Sequence, residues 1–408
     1  MTVATRHAFS DNNFAEARAH FPGAQNSIYF DTASRGLVPT EAKAAIDAQV
    51  DVRIAGTTQK SKMFDTIERV RNKYASLIRA VPEEIAFTKN VSEGINIIAV
   101  GMPWRPGDNV VLCSELEHPS NVYPWLHMKS RFGIEIRNIK SVDGHMPVRD
   151  MIAAIDQRTR VVTCSYVTFA PGLRTDMAHL SEVCAERDVC LLVDAAQAIG
   201  VLEIDMEKMP ISAMSVSTQK GLLGLYGMGF LYVRKDWAER IEPPFLSRFN
   251  VDLGSAHEAT GGGDNYRLMP GARRYEVGNY NFLGAVAVEP GLEIIGALGT
   301  NAIEQHVLRL GERMIEGLRK IGLPVFASEL GRHHQRCHIV AIGDALGAQH
   351  DSTDNPEMQS LYGALTEGGA VLTIRRGMLR VALHLYNNED DVQRLLDLAA
   401  SWHSRAAA

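Results

Sequence analysis

Between about residues 65 and 235 the chain alternates short apolar runs with segments of helical periodicity, and this alternation narrows its possible folds more than any other feature. Val110-Val111-Leu112, Ile134 to Ile139, Val161-Val162-Thr163, Leu191-Leu192-Val193 and Met214 to Ser217 read as strands. Helical patterns lie between them, as in Met177 to Arg187. Strands that are apolar throughout are buried on both faces, and strand–helix–strand repeats join them in parallel. The expected fold is therefore α/β, with a mostly parallel sheet between helices. Ligands of such sheets sit beyond the carboxyl ends of the strands.

From about residue 285 the texture changes. Ile303, Val307, Leu310, Met314, Leu318 and Ile321 recur at helical spacing. Strands are expected at Ile339 to Ile342, Ala370 to Ile374 and Leu379 to Leu385. A last helix opens near Asn388, with Glu389, Asp390 and Asp391 in its first turn, where the helix dipole favours acids. We expect an N-terminal segment (1–40) packed with a small C-terminal α/β domain (285–408), and a large domain over 41–284. Gly254 to Arg274, rich in glycine and polar residues, reads as a long loop.

Composition sets limits on partners. The 408 residues carry a net charge of −6, which argues against a nucleic-acid or anionic-membrane partner. No apolar run approaches the roughly 18 residues of a membrane-spanning helix, and the first residues lack the apolar core of a secretory signal. Five cysteines, odd in number and mostly inside apolar segments, read as reduced thiols of a cytoplasmic protein. No Cys/His grouping has zinc-like spacing; His333, His334 and His338 read as polar loop and strand edge, and no metal is expected.

Two residues sit where a ligand site of this fold should lie. Asp194 ends the strand Leu191-Leu192-Val193, and Lys220 follows Met214 to Ser217 on the turn Thr218-Gln219-Lys220. A glycine-rich stretch, Gly221 to Gly229, and the strand Phe230 to Val233 come next. A lysine on such a turn, paired with an acid after an upstream strand, is an arrangement that holds pyridoxal phosphate. The lysine forms a Schiff base, and the acid keeps the pyridine nitrogen protonated so that the ring acts as an electron sink.

With these motifs in view, the chain resembles the class V aminotransferase group of fold-type I pyridoxal-phosphate enzymes, which share the aspartate aminotransferase-like fold. The resemblance is strongest to the branch holding cysteine desulfurases, selenocysteine lyases and isopenicillin N epimerase. It runs from Tyr29-Phe30-Asp31-Thr32-Ala33 to Leu385-Tyr386-Asn387. It implies that Lys220, in Ser217-Thr218-Gln219-Lys220, is the Schiff-base lysine and proton shuttle. Asp194 would pair with the pyridine nitrogen, and Gln197 would reach the 3′-oxygen. In Phe87 to Gly94, Val91 and Ser92 would open a helix whose free amides face the phosphate. Ser217 and Gln219 would add phosphate contacts. In Glu117-His118-Pro119-Ser120-Asn121, His118 would stack on the ring and could serve as acid or base. Arg380 would grip the substrate carboxylate with its planar fork, and Arg375 and Arg376 could extend the anion site.

The resemblance also implies a homodimer acting on a small amino-acid substrate, with Gly254 to Asn281 the candidate for reaching the neighbour. There the family's Glu-x-Gly-Thr reads Glu276-Val277-Gly278-Asn279, so Asn279 stands as the phosphate donor to the opposite site. Two departures bear on activity. A desulfurase needs a thiol on a loop shortly before the arginine, yet Leu361 to Leu379 contains no cysteine. The desulfurase-like Ser-Asn-x-x-Gly is replaced by Thr168-Phe169-Ala170-Pro171-Gly172, where Phe169 either packs near the ring or serves the core. A persulfide-forming mechanism is therefore disfavoured. Class V amino-group transfer ranks first, with a carbon–sulfur β-lyase lacking a catalytic cysteine and an epimerase as alternatives. A non-enzymatic binding protein on this scaffold is the reading from outside catalysis.

Overall fold

The computed structural model describes residues 14–254, 266–326, 335–343, 347 and 350–406. The first strand is β1 (Ile28–Tyr29). Seven more form the central sheet: β2 (Ile85–Thr88), β3 (Asn109–Leu112), β4 (Glu135–Asn138), β5 (Thr159–Ser165), β6 (Cys190–Asp194), β7 (Ala213–Ser217) and β8 (Gly229–Val233). Their spatial order is β2-β8-β7-β6-β5-β3-β4. The run from β7 to β4 is parallel throughout, as the alternation implies. β8 lies antiparallel to both β7 and β2.

Alternate residues of these strands enter two separate cores, as the period of two requires. Val111, Val162, Leu191, Val193, Met214 and Phe230 face one side, where Val70 and Tyr74 of the helix Lys60–Leu77 and Leu180 of the helix Met177–Glu186 cover them. Val110, Val161, Leu192, Ala213 and Leu231 face the other side, beneath Ile95 and Ile98 of Val91–Gly101 and Trp125 of Tyr123–Phe132. With both faces sealed, only strand ends remain for chemistry.

A third core joins the two ends of the chain. Phe21, Ile28 and Phe30 are buried with Leu310 and Met314 of the helix Thr300–Ile321 and with Val381 and Tyr386. The remaining strands are β9 (Ile339–Ile342), β10 (Ala370–Val371), β11 (Thr373–Arg375) and β12 (Met378–Ala382). β11, β12 and β9 form an antiparallel sheet, while β10 pairs in parallel with β1. The single strand expected over Ala370 to Ile374 is therefore two, because its halves pair with different partners. Strand structure also ends at Ala382 rather than Leu385.

The expected boundary at 284/285 falls inside the helix Phe282–Leu298. That helix contributes Ala285, Val288 and Leu292 to the large core and Ile294 and Ile295 to the third. Of the expected loop Gly254 to Arg274, residues 255–265 lie outside the described residues, and Gly271–Tyr275 is a 3₁₀ turn. His333 and His334 also lie outside them. Among the described residues no single helix is long and apolar enough to cross a membrane.

Candidate active site

The carboxyl ends of β5, β6 and β7 open into a cavity of about 520 Å³. Ser217 is the last residue of β7, and the turn after it carries Gln219 and Lys220 to the cavity wall. The N-terminal segment fastens this turn, since the Gly36 amide donates to the Gln219 carbonyl at 2.8 Å. A Cβ at Gly36 would stand 2.2 Å from the Lys220 carbonyl oxygen, so only glycine admits this approach. Burial lowers the Lys220 pKa to about 8, helped by Arg380 and Arg375 and opposed by Asp194.

Asp194 ends β6, buried, with Oδ1 accepting the Ala196 amide at 2.9 Å. Burial raises its pKa, while that hydrogen bond and the Lys220 charge oppose the shift. Gln197, on the same turn, donates its amide nitrogen to the Ala33 carbonyl at 3.0 Å, and its buried oxygen has no partner. A buried carboxylate facing a lysine and an orphaned amide oxygen are both costly unless a partner satisfies them. A ring with a protonated nitrogen and a hydroxyl satisfies the two together.

The third wall is the start of the helix Val91–Gly101. Asn90 caps it by accepting the Glu93 amide at 2.9 Å, which leaves the Val91 and Ser92 amides outside the cap's reach. Val91 and Ser92 line the cavity. The helix sits close against β7: the Ser215 hydroxyl donates to the Val91 carbonyl at 2.9 Å, and a Cβ at Gly94 would meet that hydroxyl oxygen at 2.2 Å. Free amides at a helix start, with Ser92 and Ser217 nearby, form an anion site of the kind a phosphate occupies.

His118 faces the cavity with Nδ1 3.2 Å from the Ser120 amide. Crowding of its ring, then Lys220, His350 and Arg375, pushes its pKa down to about 4, so the ring is neutral at pH 7. Beneath it, buried Glu117 ties the turn to β5, accepting from the Ser165 amide at 2.6 Å and from Asn121 at 2.7 Å. Burial raises the Glu117 carboxyl to about 7, with Asp194 reinforcing that shift and Asn121 and Ser165 opposing it.

Arg380, on β12, enters from the C-terminal sheet and is 3% exposed. It donates to Ser34 Oγ at 2.7 Å and to the Phe169 carbonyl at 3.1 Å, and its Nε has no partner. No ion pair neutralises it among the described residues. Burial lowers its pKa to about 10, which leaves it charged at neutral pH.

The structure thus brings together Val91, Ser92, His118, Asp194, Gln197, Ser217, Gln219, Lys220 and Arg380. Asn279 is outside this group, exposed and away from its own chain's cavity. Phe169 lines the cavity, as does Arg375; Arg376 does not. Ser34 and His350 were not legible as site residues. Ser34 arrives from the N-terminal segment, and His350 comes from a polar stretch without motif, its Nδ1 2.6 Å from Asp351. No cavity-lining residue is a cysteine, and all five cysteines are buried and unpaired.

A lysine of lowered pKa, a buried acid, a helix-start anion site and a buried arginine without an ion-pair partner among the described residues, set at the strand ends of this sheet, fit pyridoxal phosphate. The Aminotransferase class-V family model matches residues 28–395, and the chain belongs to that family of pyridoxal-phosphate-dependent enzymes. A probable cysteine desulfurase of Methanothermobacter thermautotrophicus is 28% identical, over 93% of this chain and 96% of its own. Among solved structures, the apo cysteine desulfurase of Thermococcus onnurineus is similar with a TM-score of 0.83 at 23% identity, covering 97% of this chain and 99% of its own. A cystine C–S lyase in complex with its product cysteine persulfide is similar with a TM-score of 0.81, also at 23% identity, covering 93% and 99%.

Proposed function

We propose that this enzyme cleaves the bond between Cβ and sulfur of an amino acid without the help of a protein thiol. The observation that carries this reading is the cavity lining. It brings together Lys220, Asp194, Ser92 and Arg380 in a chain whose similar proteins are named for cysteine and cystine chemistry, yet it contains no cysteine. All five thiols lie in the core, and burial pushes Cys337 up to about 12 and Cys184 likewise. Thiolates, the reactive form, are thereby suppressed. Amino-group transfer, which the sequence alone ranks first, uses the same residues and becomes the principal competing outcome.

In this reading Val91, Ser92, Ser217 and Gln219 hold the phosphate, Asp194 pairs with the ring nitrogen, Gln197 reaches the ring oxygen, and His118 covers the ring face. When bound, pyridoxal phosphate supplies an electron sink next to the substrate Cα. Arg380 orients the substrate by its carboxylate. Lys220, with a pKa of about 8, takes the proton from Cα near neutral pH and can pass it to the sulfur as that atom leaves Cβ with the bonding pair. The sulfur leaves into solution rather than onto the protein.

A homodimer and a cytoplasmic location belong to the same proposal, as do the domain limits 1–40, 41–284 and 285–408. Exposed Tyr266, Val277 and Leu283, on the same stretch of sequence as Asn279, support the dimer, since apolar side chains of this size seek cover. Unpaired cysteines support the location.

The test is a panel of cysteine, cystine and S-substituted cysteines incubated with cofactor-loaded enzyme. Release of pyruvate with a sulfur product is expected. Accumulation of the substrate's own keto acid, with cofactor converted to the amine form, would replace this reading with amino-group transfer. Recovered substrate carrying solvent deuterium at Cα and inverted configuration would replace it with epimerisation.

A further inference from the structure

Two arginines converge on one oxygen in the cavity wall. Arg380 Nη2 lies 2.7 Å and Arg375 Nη2 3.5 Å from Ser34 Oγ. They come from paired strands, β12 and β11, where Arg375 is opposite Met378 at the hairpin end. Like charges so close need an anion between or beside them. Arg380 has no carboxylate partner among the described residues. Among the described residues Arg375 has only Asp351, at 2.8 Å, and that aspartate is 67% exposed. An exposed aspartate can turn out to water at little cost, because exposed ion pairs contribute little. Asp194 is the one carboxylate among the lining residues, against Lys220, Arg35, Arg375 and Arg380.

Taking the bound cofactor's phosphate at the helix start and one substrate carboxylate on Arg380, one wall of positive charge remains unused. We propose that Arg375 receives a second acidic group, carried on the substrate side chain, and that Asp351 holds its place until the substrate arrives. The substrate class is thus an amino acid with a carboxylate, sulfinate or sulfonate at the far end. This inference rests on the reading of the cavity as an amino-acid site and names what that site selects. Planar guanidinium groups suit both acidic groups, since each can be bound at two points.

The experiment uses cofactor-loaded protein and binding calorimetry, with propionate, succinate and 3-sulfopropionate as probes. The two dianions are expected to bind about tenfold or more tightly than propionate. Arg375→Gln should erase that preference and leave propionate binding within about twofold. Arg380→Gln should weaken all three probes. Asp351→Asn, at an exposed position where folding is not at stake, should widen the preference by removing the competing carboxylate. Equal affinity of dianions and propionate in the unaltered protein would overturn the proposal. So would an equal loss for all probes in Arg375→Gln, or a narrowed preference in Asp351→Asn. A protein that takes up the cofactor but shows no response to Arg380→Gln would instead overturn the amino-acid reading itself.

Discussion

Arg71 and Glu276 form an ion pair buried away from water, Nη1 to Oε1 at 2.7 Å, beside the strand that leads into the phosphate turn. Glu276 also accepts the Phe87 amide of β2 at 2.8 Å and the Tyr280 hydroxyl at 2.6 Å. One carboxylate therefore fixes β2, the helix Lys60–Leu77 and the segment carrying Asn279. Removing either charge leaves the other buried alone. Arg71→Ala and Glu276→Ala are each expected to cost roughly 3–5 kcal/mol of unfolding free energy, read from denaturant melts. A double variant less destabilised than the sum of the two singles would confirm the coupling; additive losses would refute it.

Lys220→Ala should leave the fold intact and remove covalent attachment of the cofactor. The absorbance band of the lysine-bound cofactor is expected to vanish, and turnover to fall by roughly 10²–10⁴-fold or more. Borohydride reduction followed by peptide mapping checks the same point: the label belongs on the peptide containing position 220.

Loading of cofactor into the empty protein should depend on pH through Lys220. Its amine attacks an aldehyde only when neutral, and burial brings its pKa to about 8. The loading rate is therefore expected to rise with pH through about 8 and then level off. His118 stays neutral across that range, with its pKa near 4, so His118→Gln should leave the midpoint in place. A midpoint near 10 in the unaltered protein would show that the lysine is not desolvated.

Arg380→Ala is expected to raise the substrate KM by roughly ten- to a hundredfold, the value of charge-assisted hydrogen bonds to a carboxylate. Cofactor absorbance should persist, because Arg380 bonds to Ser34, Thr373 and the Phe169 carbonyl, none of which is assigned to the cofactor. Loss of colour in this variant would move Arg380 from the substrate to the cofactor.

Gly94→Ala tests the packing of the phosphate helix on β7. The added methyl would fall 2.2 Å from Ser215 Oγ and 2.9 Å from its Cβ, so either the helix or the serine must shift. A destabilisation of about 1–3 kcal/mol is expected, together with weaker cofactor retention on dialysis. An unchanged melting temperature would mean that the serine rotates away freely.

Much of this arrangement was legible from local pattern. The parallel strands β3 to β7 announce themselves as apolar runs because both their faces are buried, and Asp194 and Lys220 follow from strand ends. Other features depend on who pairs with whom. Nothing in Phe230 to Val233 marks it as the antiparallel member between β7 and β2. Ala370 to Ile374 reads as one strand because each residue suits a strand, whereas the chain divides it between β1 and β12. Ser34 and His350 escaped notice for the same reason: their place in the cavity is set by contacts hundreds of residues apart. Asn279 is proposed to act toward a second copy, and in a single chain it lies on the surface.

The pairing of β1 with β10 has a consequence for biosynthesis. Ser34 and Gly36 follow closely on β1, yet β1 finds its partner only when residues 370–371 have left the ribosome. Such distant pairing is slow to close. The nascent protein must therefore shelter a finished sheet beside an incomplete binding cleft until β10 has been made.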